Sequence, residues 1–260
     1  MDRIGARPKK HLSQNFLIDP STIRKILDLA QVRPGDHVLE IGPGPGALTT
    51  ALLEAGAHVH AVEIDTAFAT ELHRIQSDQL TVYEADFLTF PMKRLPAHFK
   101  VVANLPYHIT SPILEKLFAT PFTSLTLMVQ KEVATRMASP PGTKDFGSLS
   151  LFVQFYSHLH SSFTVPAHCF YPRPQVDSTV IRLDTRTLPP VDPLHFFSLV
   201  HKAFQHRRKM LTSSLALPKD QVRQALTTLG IRPDARPEAL SLDQWVALTI
   251  ALIDNGKTVA

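Results

Sequence analysis

The chain has 260 residues, 44% hydrophobic and 19% charged, a balance that excludes an intrinsically disordered chain and predicts a folded globular protein. Its single cysteine, Cys169, excludes an internal disulfide framework and is typical of a cytoplasmic setting. The net charge of +4 permits a nucleic-acid partner without requiring one. The N-terminal stretch MDRIGARPKKHL has no apolar core of the kind a signal peptide needs, and we expect no membrane span.

Strand and helix patterns alternate along the first two thirds of the chain. Apolar periodicity predicts helices at 21–30 and 47–55, and a further helix that opens at Ser111-Pro112. Strands are predicted at 37–41, 58–64, 80–86, 100–104 and 124–130. Strands that alternate with helices of this length imply parallel βαβ units. We therefore predict an α/β, doubly wound, Rossmann-like domain over residues 1–187.

A proline-rich joint near residue 187 ends the strand pattern. Three helical stretches follow, near 193–206, 219–229 and 241–254, with Gly230 as a stop and Ser241 as a start. They predict a small, all-helical C-terminal domain over residues 188–260, which we expect to contact RNA or the ribosome.

The stretch EIGPGPGALT places Gly42, Gly44 and Gly46 between a predicted strand and a predicted helix, where a ligand can approach the backbone closely. The pattern also fits a relaxed dinucleotide fingerprint, or a tight turn that binds nothing. Pro43 and Pro45 have no N–H, so a loop meant for a pyrophosphate would lose two of its few donors. S-adenosylmethionine has a ribose but no phosphate, and it is the cofactor that this loop favours.

Two carboxylates follow at the ends of the next strands. Glu63 can accept hydrogen bonds from both hydroxyls of a ribose. Asp86 can accept from the exocyclic amine of an adenine, although capping a turn or helix is an equally good interpretation of it.

The stretch Asn104-Leu105-Pro106-Tyr107 ends the fourth predicted strand after the glycine loop. The amine of an adenine is a poor nucleophile because its lone pair is delocalised into the ring. The side-chain carbonyl of Asn104 and the main-chain carbonyl of Leu105 could hold both N–H bonds and draw the nitrogen towards tetrahedral geometry. Pro106 would fix the backbone, and Tyr107 would offer a flat face on which a base extracted from its stack can pack. The sequence thus predicts methyl transfer to an adenine amine.

Six stretches in this order and spacing resemble the ribosomal RNA adenine dimethyltransferase family, over about residues 7 to 254: LSQNFLID, EIGPGPGALT, VEID, ADFL, NLPYHITSPIL and FYPRPQVDS. The resemblance is to bacterial members that convert two adjacent adenosines near the 3′ end of 16S rRNA, in the immature 30S subunit, to N6,N6-dimethyladenosine. It implies that Asn15 and Leu17 line the cofactor site with Gly42, Gly44, Glu63 and Asp86. Asn104 would touch both methyl donor and target base. Phe170 would clamp the adenine opposite Tyr107, although Tyr171 follows it directly and could supply that ring instead.

The basic residues Arg7, Lys9, Lys10, Arg207, Arg208 and Lys209 form two clusters that could neutralise RNA phosphates or simply be solvated surface. The histidines form no convincing ligand set, although His158 and His160 share a face if their segment is a strand, and we predict no metal. We expect a monomer. Two alternatives stay open: an adenine methyltransferase acting on 23S rRNA or DNA, and an assembly factor whose binding matters more than its catalysis.

Overall fold

The computed structural model describes residues 14–256, with side chains described for 14–253. Arg7, Lys9 and Lys10, predicted to contact RNA, lie outside this range. The chain forms two compact units. The first contains the described residues up to Ala134 together with Leu159–Thr185, and the second contains Thr135–His158 and the chain from Arg186 onward.

The described residues contain nine strands, seven of which form one mixed sheet in the order β4-β3-β2-β5-β6-β9-β7. The strands are β1 (Phe16–Leu17), β2 (His37–Ile41), β3 (His58–Glu63), β4 (Leu80–Glu84), β5 (Lys100–Asn104), β6 (Ser124–Gln130), β7 (Ser157–Val165), β8 (Phe170–Tyr171) and β9 (Ser178–Thr185). Pairing is parallel from β4 through β6, and β9 runs antiparallel to β6. The predicted doubly wound, Rossmann-like fold class is confirmed.

Helices connect the strands of the first unit and make up most of the second. They are α1 (Pro20–Ala30), α2 (Ala47–Glu54), α3 (Thr66–His73), α4 (Thr110–Phe118), α5 (Lys131–Ala138), α6 (Ser148–Tyr156), α7 (Pro193–Gln205), α8 (Leu211–Ser214), α9 (Lys219–Thr228) and α10 (Leu242–Gly256). Among the described residues, none of these helices combines the length and apolar character needed to cross a membrane.

Local chemistry explains where the first elements begin and end. Asp19 caps α1 by accepting the N–H of Thr22 at 2.8 Å, and Pro20 occupies the first turn, where its missing N–H costs nothing. The central strands β2, β5 and β6 are almost wholly buried, because helices cover both faces of a parallel sheet. Most of their residues are apolar and buried, which is the reason that the predicted bounds 37–41, 100–104 and 124–130 match the structure.

The order of the strands fixes where a ligand can bind. After β4 at one edge, the chain crosses back to β5, which pairs with the other side of β2. In sheets of this kind, a crevice opens outside the carboxyl ends of the two strands where the winding reverses. The segments that follow β2 and β5 begin at Gly42 and Leu105, so both sequence motifs start at this crevice.

The second unit packs around an aromatic core that includes the buried Trp245. Phe155 of α6 lies 4.8 Å from Phe196 of α7, measured between ring centroids, and both side chains are fully buried. This contact explains why 135–158 groups with the C-terminal helices, whereas the sequence prediction assigned that segment to the first domain. The three predicted C-terminal helices are present, and α8 is an additional short one.

Candidate active site

A cavity of about 210 Å³ lies at the carboxyl ends of the parallel strands of the first unit. Its lining comes from 14–16, 62–64, 85–88 and 104–109, together with Ile41, Gly42 and Gly44. Each of these segments except the first follows or ends a strand of the sheet. The fold therefore brings together residues from five separate sequence motifs.

The glycine loop adopts a backbone that only glycine tolerates well. Gly42, Gly44 and Gly46 have φ values of 64°, 56° and 86°. A Cβ on Gly44 would lie 2.5 Å from the ring of Phe16, which packs edge-on against Phe68 with centroids 5.0 Å apart. The loop is thus clamped from one side by an aromatic residue that the sequence analysis did not single out, and that also lines the cavity.

The N–H groups of the three loop glycines are already used inside the protein. They donate to the carbonyl of Val62 at 2.9 Å, the carboxylate of Glu63 at 2.9 Å and the carbonyl of Pro43 at 3.1 Å. Pro43 and Pro45 have no N–H to offer. A pyrophosphate would find no free amide on these five residues, which disfavours the dinucleotide alternative.

Glu63 lies at the end of β3, is only 3% exposed and lines the cavity. One carboxylate oxygen accepts the N–H of Gly44 at 2.9 Å and the other accepts the N–H of Asp65 at 2.8 Å. Burial raises the pKa of Glu63, and these two backbone donors oppose the rise. Each oxygen keeps a second lone pair, so the oriented carboxylate can still accept hydroxyl donors such as those of a ribose.

Glu40, one strand away, is a buried acid that the sequence analysis missed. Its carboxyl accepts a hydrogen bond from the hydroxyl of Thr49 at 2.6 Å, which joins β2 to α2 across the glycine loop. Burial raises the pKa of Glu40 to about 8, with a further increase from the nearby charge of Glu63. At neutral pH this side chain is therefore mostly protonated and serves as a neutral connection beneath the loop.

Asp86 caps a turn and also lines the cavity, so both interpretations that the sequence left open remain possible. One of its carboxylate oxygens accepts the N–H of Leu88 at 2.8 Å, and its carbonyl accepts the N–H of Phe90 at 2.9 Å, so it caps a tight turn after β4. The same residue lines the cavity. Its second carboxylate oxygen makes no hydrogen bond to a described residue and can accept one from a ligand.

Asn104, the last residue of β5, has one satisfied and one unsatisfied polar atom. Its Nδ2 donates to the carbonyl of Asn15 at 2.9 Å, which fixes the orientation of the amide. Its Oδ1 is buried and has no hydrogen-bond partner among the described residues. Such an acceptor costs about 1–3 kcal/mol when left unpaired. The structure thus holds a fixed, unused acceptor in a residue that lines the cavity.

The residues after Asn104 continue the same wall of the cavity. Leu105 leaves the sheet with its N–H bonded to the carbonyl of Met128 at 3.0 Å, and no hydrogen bond to its own carbonyl is found within the described residues. The Tyr107 hydroxyl lies 2.6 Å from that of Ser178, the first residue of β9. Burial raises the pKa of Tyr107, so the phenol stays neutral. Tyr107 is anchored at its hydroxyl end.

Leu17 and Phe170 do not lie where the sequence analysis expected them. They face each other across the antiparallel pair of β1 and β8, are 7% and 3% exposed, and belong to the core rather than to the lining of the cavity. Directly opposed residues of such a pair share a face, so Phe16 and Tyr171 share the other one. Phe16 lines the cavity, and Tyr171 is 52% exposed.

The C-terminal basic cluster divides into two kinds of residue. Arg207 donates to the carbonyls of Thr143 and Lys144, at 3.3 and 2.7 Å, so its guanidinium holds a loop of its own unit instead of standing free for a phosphate. Arg208 and Lys209 are exposed. The prediction of a phosphate contact therefore needs revision for Arg207 and stays open for the other two.

The histidines on β7 point to no metal site. His158 and His160 are exposed, and His160 lies 3.2 Å from a carboxylate oxygen of Asp184. Within the described part of the chain, no group of three or more His, Cys, Asp or Glu side chains could hold a metal ion.

The doubly wound sheet, the glycine loop without free amides and the acidic residues at the next two strand ends define a Rossmann-like methyltransferase that uses S-adenosylmethionine. Residues 5–254 match the family model of ribosomal RNA adenine dimethylase. The chain belongs to that family.

Named relatives agree with this assignment. The chain is 47% identical to the ribosomal RNA small subunit methyltransferase A of Protochlamydia amoebophila, over 95% of this chain and 92% of that relative. A dimethyladenosine transferase from Plasmodium falciparum superposes with a TM-score of 0.82 at 25% identity, covering 93% of this chain and 98% of that one. The 23S rRNA methyltransferase ErmE gives a TM-score of 0.71 at 31% identity, covering 92% and 99%.

Proposed function

We propose that this enzyme transfers methyl groups to the N6 amines of two adjacent adenosines near the 3′ end of 16S rRNA, in the immature small ribosomal subunit. Family membership and the 47% identity to a small subunit methyltransferase support the substrate class. The observation that carries the chemistry is the buried Oδ1 of Asn104, which lies in the wall of the cavity and has no hydrogen-bond partner within residues 14–253.

The cofactor fits the groups that the cavity offers. S-adenosylmethionine supplies an electrophilic methyl group on a sulfonium. Glu63 would accept the ribose hydroxyls with its remaining lone pairs, and Asp86 would accept the adenine amine with its second oxygen. The glycine loop gives close approach without amide donors, which suits a cofactor that has no phosphate.

Asn104 would act on the target amine. Its Oδ1 and the carbonyl of Leu105 accept the two N–H bonds, which draws the nitrogen out of conjugation and aims its lone pair at the methyl group. The new N–C bond forms as the S–C bond breaks, and the nitrogen then loses a proton to solvent. A hydrogen-bond acceptor stabilises the amine most strongly when positive charge develops on the nitrogen during methyl transfer. The two carbonyls would therefore stabilise the transition state more than the ground state.

Tyr107 would hold the extracted base. Base–aromatic stacking contributes about 1–3 kcal/mol per base, which helps to offset the cost of leaving the RNA stack. The bond between its hydroxyl and Ser178 restricts the ring before the base arrives. A second aromatic ring, on the opposite face of the base, would come from Phe170 or Tyr171. Tyr171 is the more exposed of the two, which favours it for this contact.

The RNA itself would be held by phosphate contacts from Arg208 and Lys209, and from Arg7, Lys9 and Lys10. Such contacts are independent of sequence and position the enzyme on a structured substrate. We propose that the enzyme acts as a cytoplasmic monomer on the assembling particle.

A direct test is to incubate the protein with labelled S-adenosylmethionine and unmethylated 30S particles, naked 16S rRNA, 50S particles or adenine-containing DNA. We expect label on 30S particles, mapped to two adjacent adenosines carrying two methyl groups each. Label on 50S particles alone would overturn the proposal in favour of a 23S rRNA target, and label on DNA alone would do the same for DNA. Tight binding to 30S without any label would leave only an assembly role.

A further inference from the structure

Lys116 lies in the last turn of α4, outside the lining of the cavity, yet it reaches a segment that forms part of that lining. Its ammonium donates to the carbonyls of Leu88 and Phe90, at 2.9 and 2.5 Å. It also lies 5.2 Å from the centre of the Phe87 ring, within range of a cation–π contact. One cation therefore makes three contacts with one short turn.

That turn is closed at both ends by charged groups. At its start, the carboxylate of Asp86 accepts the N–H of Leu88, and the Asp86 carbonyl accepts the N–H of Phe90 in the manner of a single helical turn. At its end, the carbonyls that a helix would leave unpaired are taken by Lys116. A negative group at the amino end and a positive group at the carboxyl end both stabilise a helical turn.

Two opposing effects act on the pKa of Lys116. Burial lowers the pKa of the Lys116 ammonium, and the negative charge of Asp86 opposes this change. Asp86 and Lys116 thus support each other electrostatically while bonding to opposite ends of the turn.

We propose that Lys116 is a positioning residue for cofactor recognition: it fixes the turn 86–90 so that the carboxylate oxygen of Asp86 that does not bond to Leu88 faces the adenine amine of S-adenosylmethionine. This inference rests on the proposed role of Asp86. Because α4 begins directly after the stretch that contains Asn104 and Tyr107, the lysine also connects the catalytic segment to the adenine segment. Lysine suits this role because three donors on a flexible stem can satisfy two carbonyls at once.

The test compares two ligands that differ only at the group Asp86 would contact. Calorimetry measures the Kd of S-adenosylhomocysteine and of its 6-deamino analogue, in which a hydrogen replaces the adenine amine. Lys116→Met should raise the Kd of S-adenosylhomocysteine about tenfold, the equivalent of one hydrogen bond to a charged acceptor. The Kd of the deamino analogue should change much less, so the preference between the two ligands shrinks.

Two further variants serve as controls. Lys116→Arg should restore most of the preference, and Lys93→Met, which removes an exposed lysine, should leave both affinities unchanged. The single-turnover methylation rate of Lys116→Met at saturating cofactor should stay near the wild-type value, with the loss confined to the KM for cofactor. If the Met variant does not fold, Lys116→Gln takes its place.

Asp86→Ala separates the two levels of the proposal. An undiminished preference in Asp86→Ala would refute the adenine role of Asp86 itself. A lost preference in Asp86→Ala with an intact one in Lys116→Met would overturn the inference on Lys116 alone. An equal loss for both ligands in Lys116→Met would also overturn it, since that result describes a general structural support.

Discussion

Replacing Asn104 by alanine should separate activity from stability, because its two polar atoms have opposite effects on the folded protein. The Nδ2 hydrogen bond to Asn15 is worth about 0.5–1.5 kcal/mol, whereas the buried Oδ1 costs about 1–3 kcal/mol while it stays unpaired. Removing both should therefore leave the free energy of unfolding unchanged or raise it by about 1 kcal/mol. For a chain of this size that corresponds to roughly 2–4 °C in Tm.

The same substitution should lower the rate. One lost transition-state acceptor of about 2.7 kcal/mol corresponds to roughly a hundredfold decrease in the methylation rate. Particle binding should change by less than about tenfold, because the contact matters most during the transfer. The assay is single-turnover kinetics on unmethylated 30S particles with saturating cofactor, together with thermal melts of the free protein.

Thr126→Val is the matched control. Thr126 lies on β6, is 1% exposed, and its hydroxyl is also buried without a partner among the described residues. Its replacement should likewise leave Tm unchanged or raise it, but should not alter the rate. Near-normal turnover of Asn104→Ala would refute the reasoning, and so would a large loss of Tm, since the amide would then be part of the structural framework.

Three more outcomes are expected. Glu40→Gln should be nearly neutral at pH 5 and stabilising at pH 9. Burial raises the pKa of Glu40 from 4.5 to about 8 in the folded protein, so wild-type stability falls as pH rises between these two values. Thermal melts with equal pH slopes in both proteins would contradict this. Tyr107→Ala should lower the affinity for the particle more than it lowers the methylation rate at saturation. Tyr107→Phe loses only the hydrogen bond to Ser178 and keeps the ring. Binding titrations that show the same loss of affinity for both variants would argue against stacking. Replacing Arg208 and Lys209 by alanine should reduce the slope of log affinity against log salt concentration for RNA binding by roughly 0.7 to 0.9 per lost phosphate contact. An unchanged slope would show that both side chains are solvated surface residues without a phosphate contact.

The sequence was most informative where one kind of pattern decides the structure. The bounds of β2, β5 and β6 follow from apolar runs that a parallel sheet must bury, and the positions of Gly42, Glu63 and Asp86 follow from the rule that strand ends meet at one edge. Asn104 and Tyr107 line the cavity for the same reason.

Other features depend on contacts between distant residues, which local patterns do not encode. The assignment of 135–158 to the second unit depends on α6 packing its aromatic side chains against α7. Phe16 lines the cavity where Leu17 was expected to, because the register of β1 with β8 decides which of the two faces the cavity. The contacts of Arg207 and Lys116 with main-chain carbonyls could not be predicted either, since such acceptors carry no sequence signature.

The fully used amides of the glycine loop also bear on which other molecules of the cell can compete for this cavity. ATP and NAD share an adenosine half with the cofactor, and Glu63 and Asp86 would offer that half the same acceptors. Their phosphates would then meet a loop whose N–H groups are already committed and whose prolines have none, with the Glu63 carboxylate close by. We expect abundant nucleotides to be poor inhibitors, and the most selective inhibitors of this enzyme to be uncharged where a nucleotide carries its phosphates.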